Sequence, residues 1–278
     1  MSLPDDELPI AEVGEWALEK HERLRKYVDI TRPTRRKYTE KKYEGEYKGG
    51  ATYIDLFCGP GRARIRETDE IIDGSPLVAF KSAAEGKCQF SEIHLADLNE
   101  SYCDASVERI AAAGGHAIGY PGTAEETAQT IVAKLNPDGL HFAFLDPFNL
   151  EGLTFTTIKS LSKMRHMDLL LHVSVQDLQR NIDRYSALNE SPLDSFAPGW
   201  RTEVDLNQAQ ASLRVSLMKY WRAKVEELGF LYRGVDPVTG SRNQRLYWLI
   251  FLAKSEFANN LWDKIRNISG QRDLLSRL

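Results

Sequence analysis

Five short apolar runs recur along the middle of this chain, four of them followed by a stretch of helical periodicity. This alternation restricts the possible folds more than any other feature. TYIDLFC (residues 52–58) reads as a strand, and SPLVAFKSAAEG (Ser75 to Gly86) as a helix with a serine cap, an early proline and a closing glycine. SEIHLADLN (Ser91 to Asn99) is a second strand, followed by the helical ESYCDASVERIAAAGG. HAIGY is a third, followed by a helix beginning on Thr123. HFAFLDPF (His141 to Phe148) is a fourth, with a helix over Phe155 to Met164, and DLLLHVSV (Asp168 to Val175) is a fifth. Strand and helix in alternation with short connections predict an α/β fold, a mostly parallel sheet covered by helices on both faces. Right-handed crossovers then leave few topologies.

After Asp177 the alternation stops. The segment at about 177–206 contains Pro and Ser without clear periodicity and reads as an insertion or lid. A long amphipathic helix (Gln208 to Leu228) follows, then FLYRGV and RLYWLIFLAKS separated by DPVTGSRNQ, which reads as a turn. The spacing predicts a C-terminal antiparallel hairpin at the sheet edge, seven strands in all, and a last helix over Glu256 to Ile268. At the other end, EWALEKHERLRKYVDI places Trp16, Leu24, Tyr27 and Val28 on one helical face, stopped near Pro33. The expected organisation is an N-terminal helical, basic extension (1–50) and one α/β domain (51–278).

Charge and cysteine content exclude some function classes. A net charge of −4 is not that of a general nucleic-acid binder, yet residues 20–48 hold eleven Lys or Arg against five Asp or Glu. Tyr27, Tyr38, Tyr43 and Tyr47 are interleaved with them. Such a segment can hold phosphates and stack a base, but it is more often a solvated helix face plus a loop. Cys58, Cys88 and Cys103 match no metal-ligand spacing and predict separate reduced thiols. The longest apolar run, LYWLIFLA (246–253), is far short of the ~20 residues of a membrane helix. The acidic start MSLPDDELPI lacks a signal-peptide layout, so the expected location is cytoplasmic, with no membrane partner.

In an open parallel sheet, ligands bind beyond the carboxyl ends of the strands, where the strand order switches. The sequence places Asp55, Gly59 and Gly61 after strand one, Asp97 and Asn99 after strand two, and Gly122 and Thr123 after strand three. Strand four delivers Asp146-Pro147-Phe148, and strand five His172, Ser174 and Gln176. Glycines allow close backbone approach, and an acid ending the second strand can take both hydroxyls of a ribose. These are the demands of an adenosine-containing ligand. The third glycine of a dinucleotide fingerprint is missing, and about a dozen polar residues (Arg62 to Gly74) precede the helix. A pyrophosphate needs the helix N-terminus directly behind the turn, so the pattern favours a ligand without phosphate. Arg62, Arg64 and Arg66 suit either an anion clamp or a solvated edge.

DLFCGPG, LADLN and FLDPF together resemble the Rossmann-like class I S-adenosylmethionine-dependent methyltransferases. More narrowly, WALEKHERLRKY, YIDLFCGPGR, DGSPLVAF, FLDPFNL and RLYWLIFLAKS are similar to the three-Cys-motif partner protein family, TcmP. The resemblance implies S-adenosylmethionine as cofactor and a radical-enzyme-like three-Cys-motif protein as partner. It implies that Asp55, Phe57, Gly59 and Gly61 shape the methionine end of the cofactor site, that Asp97 and Leu98 hold the ribose side, and that Thr123 stands where an adenine-binding acid is common. It further implies that Asp146, Pro147 and Phe148 form the acceptor motif of an enzyme that modifies a nucleobase or nucleic acid. There Asp146 orients an exocyclic amine and Phe148 stacks on the base. Two departures matter: the motif has one proline fewer than (Asp/Asn)-Pro-Pro-aromatic, and Thr123 is neutral. They motivate a different expectation, a non-catalytic or substrate-presenting subunit. A third reading, a metal-dependent hydrolase or nuclease, would use Asp55, Asp97 and Asp146 as ligands. No metal is expected on the leading reading.

Overall fold

The computed structural model describes residues 6–40, 49–239 and 245–268. In chain order the described strands are β1 (Ala11–Val13), β2 (Ala51–Asp55), β3 (Arg62–Ile65), β4 (Ile71–Asp73), β5 (Glu92–Asp97), β6 (Ile118–Pro121), β7 (Leu140–Leu145), β8 (His166–Ser174), β9 (Leu231–Tyr232), β10 (Asp236–Thr239) and β11 (Arg245–Ala253). The helices are α1 (Trp16–Ile30), α2 (Arg32–Thr39), α3 (Ser75–Glu85), α4 (Glu100–Ala112), α5 (Ala124–Val132), α6 (Phe155–Leu161), α7 (Val175–Ala187), α8 (Pro192–Phe196), α9 (Trp200–Glu203), α10 (Gln210–Glu227) and α11 (Glu256–Ile268).

The main sheet runs β10-β11-β8-β7-β2-β5-β6, with two-residue β9 paired to the end of β11. The five strands from β6 to β8 are parallel, whereas β11 is antiparallel to both β8 and β10. Both faces are covered, which explains why the strands read as continuous apolar runs. Alternate side chains point to opposite layers. Tyr53, Phe142, Phe144, Leu170 and Phe251 belong to one core with residues of α1, α3, α4 and α11. Ile54, Ala143, Leu145, Leu171 and Ile250 belong to the other, with residues of α5 to α10. No helix among the described residues is long and apolar enough to cross a membrane.

Three segments differ from the sequence reading. The polar stretch after the glycines forms an antiparallel pair, β3 with β4, extended by β1 into a small second sheet. Its Ala63 and Ile65 are buried, giving it a small apolar face that its arginines mask in the sequence. The hairpin strand facing β11 is β10, which begins inside the stretch read as a turn; only Leu231 and Tyr232 of FLYRGV pair. Pro237 is tolerated because β10 is the sheet edge. The segment read as irregular at 177–206 holds α7, α8 and α9, whose Leu178, Ile182, Phe196 and Trp200 are fully buried. Ser191-Pro192 there is a helix start, with Ser191 and Asp194 forming a capping box. Likewise Pro33 ends α1 by opening α2.

Helix α1 is held to the sheet by an internal polar contact. The Tyr27 hydroxyl donates to Asp168 Oδ2 at 2.7 Å, while its ring packs against Phe142 and Phe251 at 4.7 and 4.9 Å. Burial raises the Asp168 carboxyl from 3.8 to about 7, the Tyr27 hydrogen bond acting in the opposite sense. The folded protein therefore keeps a proton that the unfolded chain releases between these values, so this group's contribution to stability falls as pH rises from about 4 to 7. Asp168→Asn retains an acceptor for Tyr27 and cannot ionise. In urea unfolding, the stability difference between variant and wild type is expected to move in the variant's favour by ~1–3 kcal/mol from pH 5 to pH 8. A difference independent of pH would show that Asp168 ionises normally.

Candidate functional site at the carboxyl ends of the central strands

Asp55, Asp97 and Asp146 end or follow β2, β5 and β7, three adjacent strands of the sheet. The fully buried Asp55 accepts from the Tyr53 hydroxyl at 3.0 Å and the Phe57 amide at 3.2 Å. Its carboxyl is pushed up to about 7 by burial, against the pull of these donors and Ser75. It braces the turn from beneath. Phe57 is partly buried and packs against the α5–α10 core.

The turn after β2 is the centre of the site. Gly59 and Gly61 have φ of +55° and +80°, in the left-handed region glycine tolerates. A side chain at Gly59 would meet nothing within 4 Å, so the backbone there faces open space. A Cβ at Gly74 would instead lie 3.0–3.2 Å from backbone atoms of Gly61, and the Gly74 amide donates to the Gly61 carbonyl at 2.8 Å. The β3–β4 excursion thus leaves and returns at one point, and α3 starts directly behind the glycine turn. The expectation that the intervening residues separate helix from turn is corrected by this crossing. Gly74 makes the close helix–turn approach that the missing third glycine would otherwise make.

Asp97 is tied into the same turn. Its Oδ2 accepts from the Gly59 amide at 2.9 Å and its Oδ1 from the Asn99 amide at 2.9 Å. Each carboxylate oxygen retains a further acceptor position. The neighbouring Leu98 is 77% exposed, an apolar surface at the rim. Gly122 donates to the Asp97 carbonyl at 3.0 Å, which brings the loop after β6 to this edge. Thr123 is the N-cap of α5: its hydroxyl accepts from the Glu126 amide at 3.3 Å and donates to Glu126 Oε2 at 2.8 Å. That hydroxyl serves the helix start, a use readable in T-x-x-E.

Across β2 from Asp97, Asp146 is enclosed by groups from several elements. Lys20 of α1 pairs with its Oδ2, and His172 Nδ1 of β8 lies 2.7 Å from its Oδ1. Lys20 and Asp146 side chains are 8% and 17% exposed, so the pair is largely desolvated. Burial tends to raise the Asp146 carboxyl, but Lys20 and His172 together hold it well below the usual range. Burial also lowers His172, which favours neutral imidazole. Its ring meets Tyr247 of β11 edge-on at 4.1 Å, and the Tyr247 hydroxyl donates to the Trp16 carbonyl at 3.0 Å. Pro147 is buried; Phe148 is 99% exposed.

Lys20, Arg109 and Tyr247 are absent from the sequence-derived site. Lys20 had a signal: with Leu24, Tyr27 and Val28 it lies on the buried face of α1, an unusual place for lysine. Arg109 had none. It accepts no proton and donates to the Pro60 carbonyl at 2.5 Å, the Pro9 carbonyl at 2.7 Å and Asp6 Oδ2 at 2.8 Å, so it joins the glycine turn to the N-terminal segment. Cys58 is buried and its thiol is raised by its surroundings, which suits packing rather than attack. Arg62 pairs with Asp6, and Arg66 lies over the Trp16 ring.

The basic segment is less open than its composition suggests. Arg23, Arg25, Lys26, Arg32 and Arg36 pair with acids three or four residues away along α1 and α2 and their caps, and Lys20 and Arg35 are buried. Tyr27 is core and Tyr38 is half-buried near His166, while Tyr43 and Tyr47 lie outside the described residues. Amphipathic packing of α1 accounts for the difference.

Outward from β2 the sheet passes β5 and β6 on one side, and β7, β8, reversed β11 and β10 on the other. The glycine turn and Asp97 stand at the switch between the two halves. This is a Rossmann-like arrangement, a mostly parallel sheet with β11 reversed, as the sequence resemblance implies. No family model matches the chain, and no curated protein matches it in sequence. Among solved structures, cofactor-bound Rv0187 from MTB is similar at 11% identity and TM-score 0.48, over 90% of this chain and 85% of that one. The N-methyltransferase NodS from Bradyrhizobium japonicum WM9, in complex with S-adenosyl-L-homocysteine, is similar at 10% and 0.44, over 87% and 89%. Spermidine synthase from Thermotoga maritima is similar at 9% and 0.45, over 94% and 67%.

Proposed function

We propose that this protein is an S-adenosylmethionine-dependent methyltransferase acting on an amine of a nucleobase, free or within nucleic acid. The observation that carries this reading is the pairing of two half-sites across β2. On one side stand an open glycine turn and Asp97; on the other stand Asp146 and the solvent-facing ring of Phe148. The open space above Gly59, the remaining acceptor capacity of Asp97 and the exposed Leu98 fit a nucleoside with a short charged tail. Asp55, Phe57, Gly59 and Gly61 would hold the methionine end, and Asp97 and Leu98 the ribose side. The cofactor supplies a methyl group made electrophilic by a sulfonium.

The residues opposite supply position and a route for the proton. Asp146, held ionised, orients an acceptor N–H through an oxygen already braced by Lys20 or His172. Because Lys20 and His172 lower its basicity, Asp146 is the orienting group. Neutral His172 has its Nδ1 engaged by Asp146, and in this proposal its Nε2 takes the proton that a methylated amine releases. Phe148 offers a flat apolar face for stacking, worth ~1–3 kcal/mol per base. Phe148→Ala is therefore expected to weaken transfer to single-stranded oligonucleotides about 5- to 150-fold, mainly through KM, without changing the unfolding midpoint. Unchanged transfer would remove the stacking role. The three-Cys-motif partner enters this proposal through the sequence resemblance, and co-purification of the two proteins tests it.

A non-catalytic subunit is the second reading, favoured by the enclosure of Asp146 by Lys20 and His172. Methyl transfer by the purified chain, with or without partner, decides between them. For the hydrolase reading, no group of three or more His, Cys, Asp or Glu side chains among the described residues is placed to hold a metal ion.

A further inference from the structure

Three successive carbonyls of the glycine turn find donors inside the protein. Gly59 accepts from Ser106 Oγ at 2.8 Å, Pro60 from Arg109 Nη1 at 2.5 Å and Gly61 from the Gly74 amide at 2.8 Å. Ser106 and Arg109 stand one turn apart on α4. A Cβ at Gly61 would lie 3.0 Å from Ser106 Oγ and 3.5 Å from Arg109 Cδ. The turn thus rests directly on α4, and the charged donor beneath it is Arg109.

Arg109 is 3% exposed, and a cation so buried is costly without a counter-charge. Asp6 supplies it through a fork: Nε donates to Oδ2 at 2.8 Å and Nη2 to Oδ1 at 2.5 Å. The Arg109 hydrogen bonds, against partial burial, hold the Asp6 carboxyl down to about 2, so the pair is charged throughout the neutral range. Nη1 also donates to the Pro9 carbonyl at 2.7 Å and Nη2 to the Leu8 carbonyl at 3.3 Å. With the Pro60 contact, the five N–H donors of the guanidinium meet five acceptors. No donor is left for a ligand, so whatever Arg109 does for one passes through the turn. Beyond Pro9, β1 pairs in parallel with β3, the strand by which the chain leaves the turn. The N-terminal segment is therefore docked along the turn and its exit.

We propose that Arg109, with Asp6 as its counter-ion, is a positioning residue for the methionine end of the cofactor, and that docking of the N-terminal segment is coupled to cofactor binding. The inference rests on the methyltransferase reading of the glycine turn. Arg109 fixes the Pro60 carbonyl, and with it the open backbone at Gly59. Asp97 stands on β5 and keeps its Asn99 bond independently, so the ribose side is not set by Arg109. Coupling between sites is reciprocal: if the docked segment strengthens cofactor binding, the cofactor strengthens the docking by the same factor.

The test is calorimetric titration of the full chain with S-adenosylhomocysteine and with 5′-methylthioadenosine, which keeps the nucleoside and lacks the amino-acid tail. Arg109→Met is expected to weaken S-adenosylhomocysteine at least about tenfold and methylthioadenosine less than about threefold. Arg109→Lys keeps the charge without the fork, and Asp6→Asn keeps an acceptor at a side chain 28% exposed. Both are expected to fall between wild type and Arg109→Met with the same selectivity. Amide hydrogen exchange in residues 6–13 is expected to slow when S-adenosylhomocysteine is added to wild type, and not in Arg109→Met. Unchanged affinity in the variants, an equal loss of both ligands, or exchange in wild type indifferent to the ligand overturns the positioning role and leaves the cofactor reading intact. Asp6→Asn decides in the same way if Arg109→Met does not unfold cooperatively. Binding of neither ligand by folded wild type overturns the cofactor reading itself, and this proposal with it.

Discussion

Asp146→Ala is expected to lose about 3–5 kcal/mol of folding stability at pH 7, as is usual when one partner of a buried ion pair is removed. The variant strands the ammonium of Lys20, whose side chain is 8% exposed, and removes the partner of His172 Nδ1. Two further variants separate this from catalysis. Lys20→Met with Asp146→Leu replaces the pair by apolar groups and is expected to recover most of the stability. Asp146→Asn keeps an acceptor but no charge; it is expected to fold with a smaller loss and to lower transfer by about 10²–10³, the usual effect of losing one preorganised electrostatic contact. Because the Asp146 carboxyl is held below its unfolded value of 3.8, its stabilisation is present at neutral pH and declines as pH falls below about 4. Urea unfolding and labelled-methyl transfer read these effects. An alanine variant as stable as wild type would show that the pair contributes nothing, and full transfer by Asp146→Asn would remove its orienting role.

Asp97→Ala is expected to weaken S-adenosylhomocysteine binding by about 10²–10³, the effect of losing two hydrogen bonds to a charged group at ~1.5–3 kcal/mol each, with partial replacement by water. The same change leaves the Gly59 and Asn99 amides without the acceptors they have at 2.9 Å. Asp97→Asn retains one acceptor oxygen and should fall between wild type and alanine. Equal affinity of all three proteins for the cofactor product would place the ribose elsewhere.

The strand–helix order and the two-sided burial of the sheet were readable because they depend on local periodicity. Tyr53/Ile54 and Phe142/Ala143 alternate between two apolar layers, so the middle of each strand is mostly apolar and its short length marks it. Boundaries set by tertiary contact were not readable. The strand role of Asp236-Pro237 depends on an edge position beside β11. The closeness of Gly61 and Gly74 depends on a hairpin that leaves and returns between them. Within the site, the three strand-end acids follow from chain order, whereas the Lys20 and Arg109 contacts span 126 residues to Asp146 and 103 to Asp6. Burial of lysine on the apolar face of α1 was the one local trace of the first; the second left none.

The most direct test of the central claim is calorimetric titration of the purified chain with S-adenosylmethionine and S-adenosylhomocysteine. The glycine turn and Asp97 predict one site with micromolar affinity for both, weakened by about 10²–10³ in Asp97→Ala. A cooperatively folded protein that gives no binding heat at any of several temperatures, and no shift in melting temperature with either compound, would contradict it.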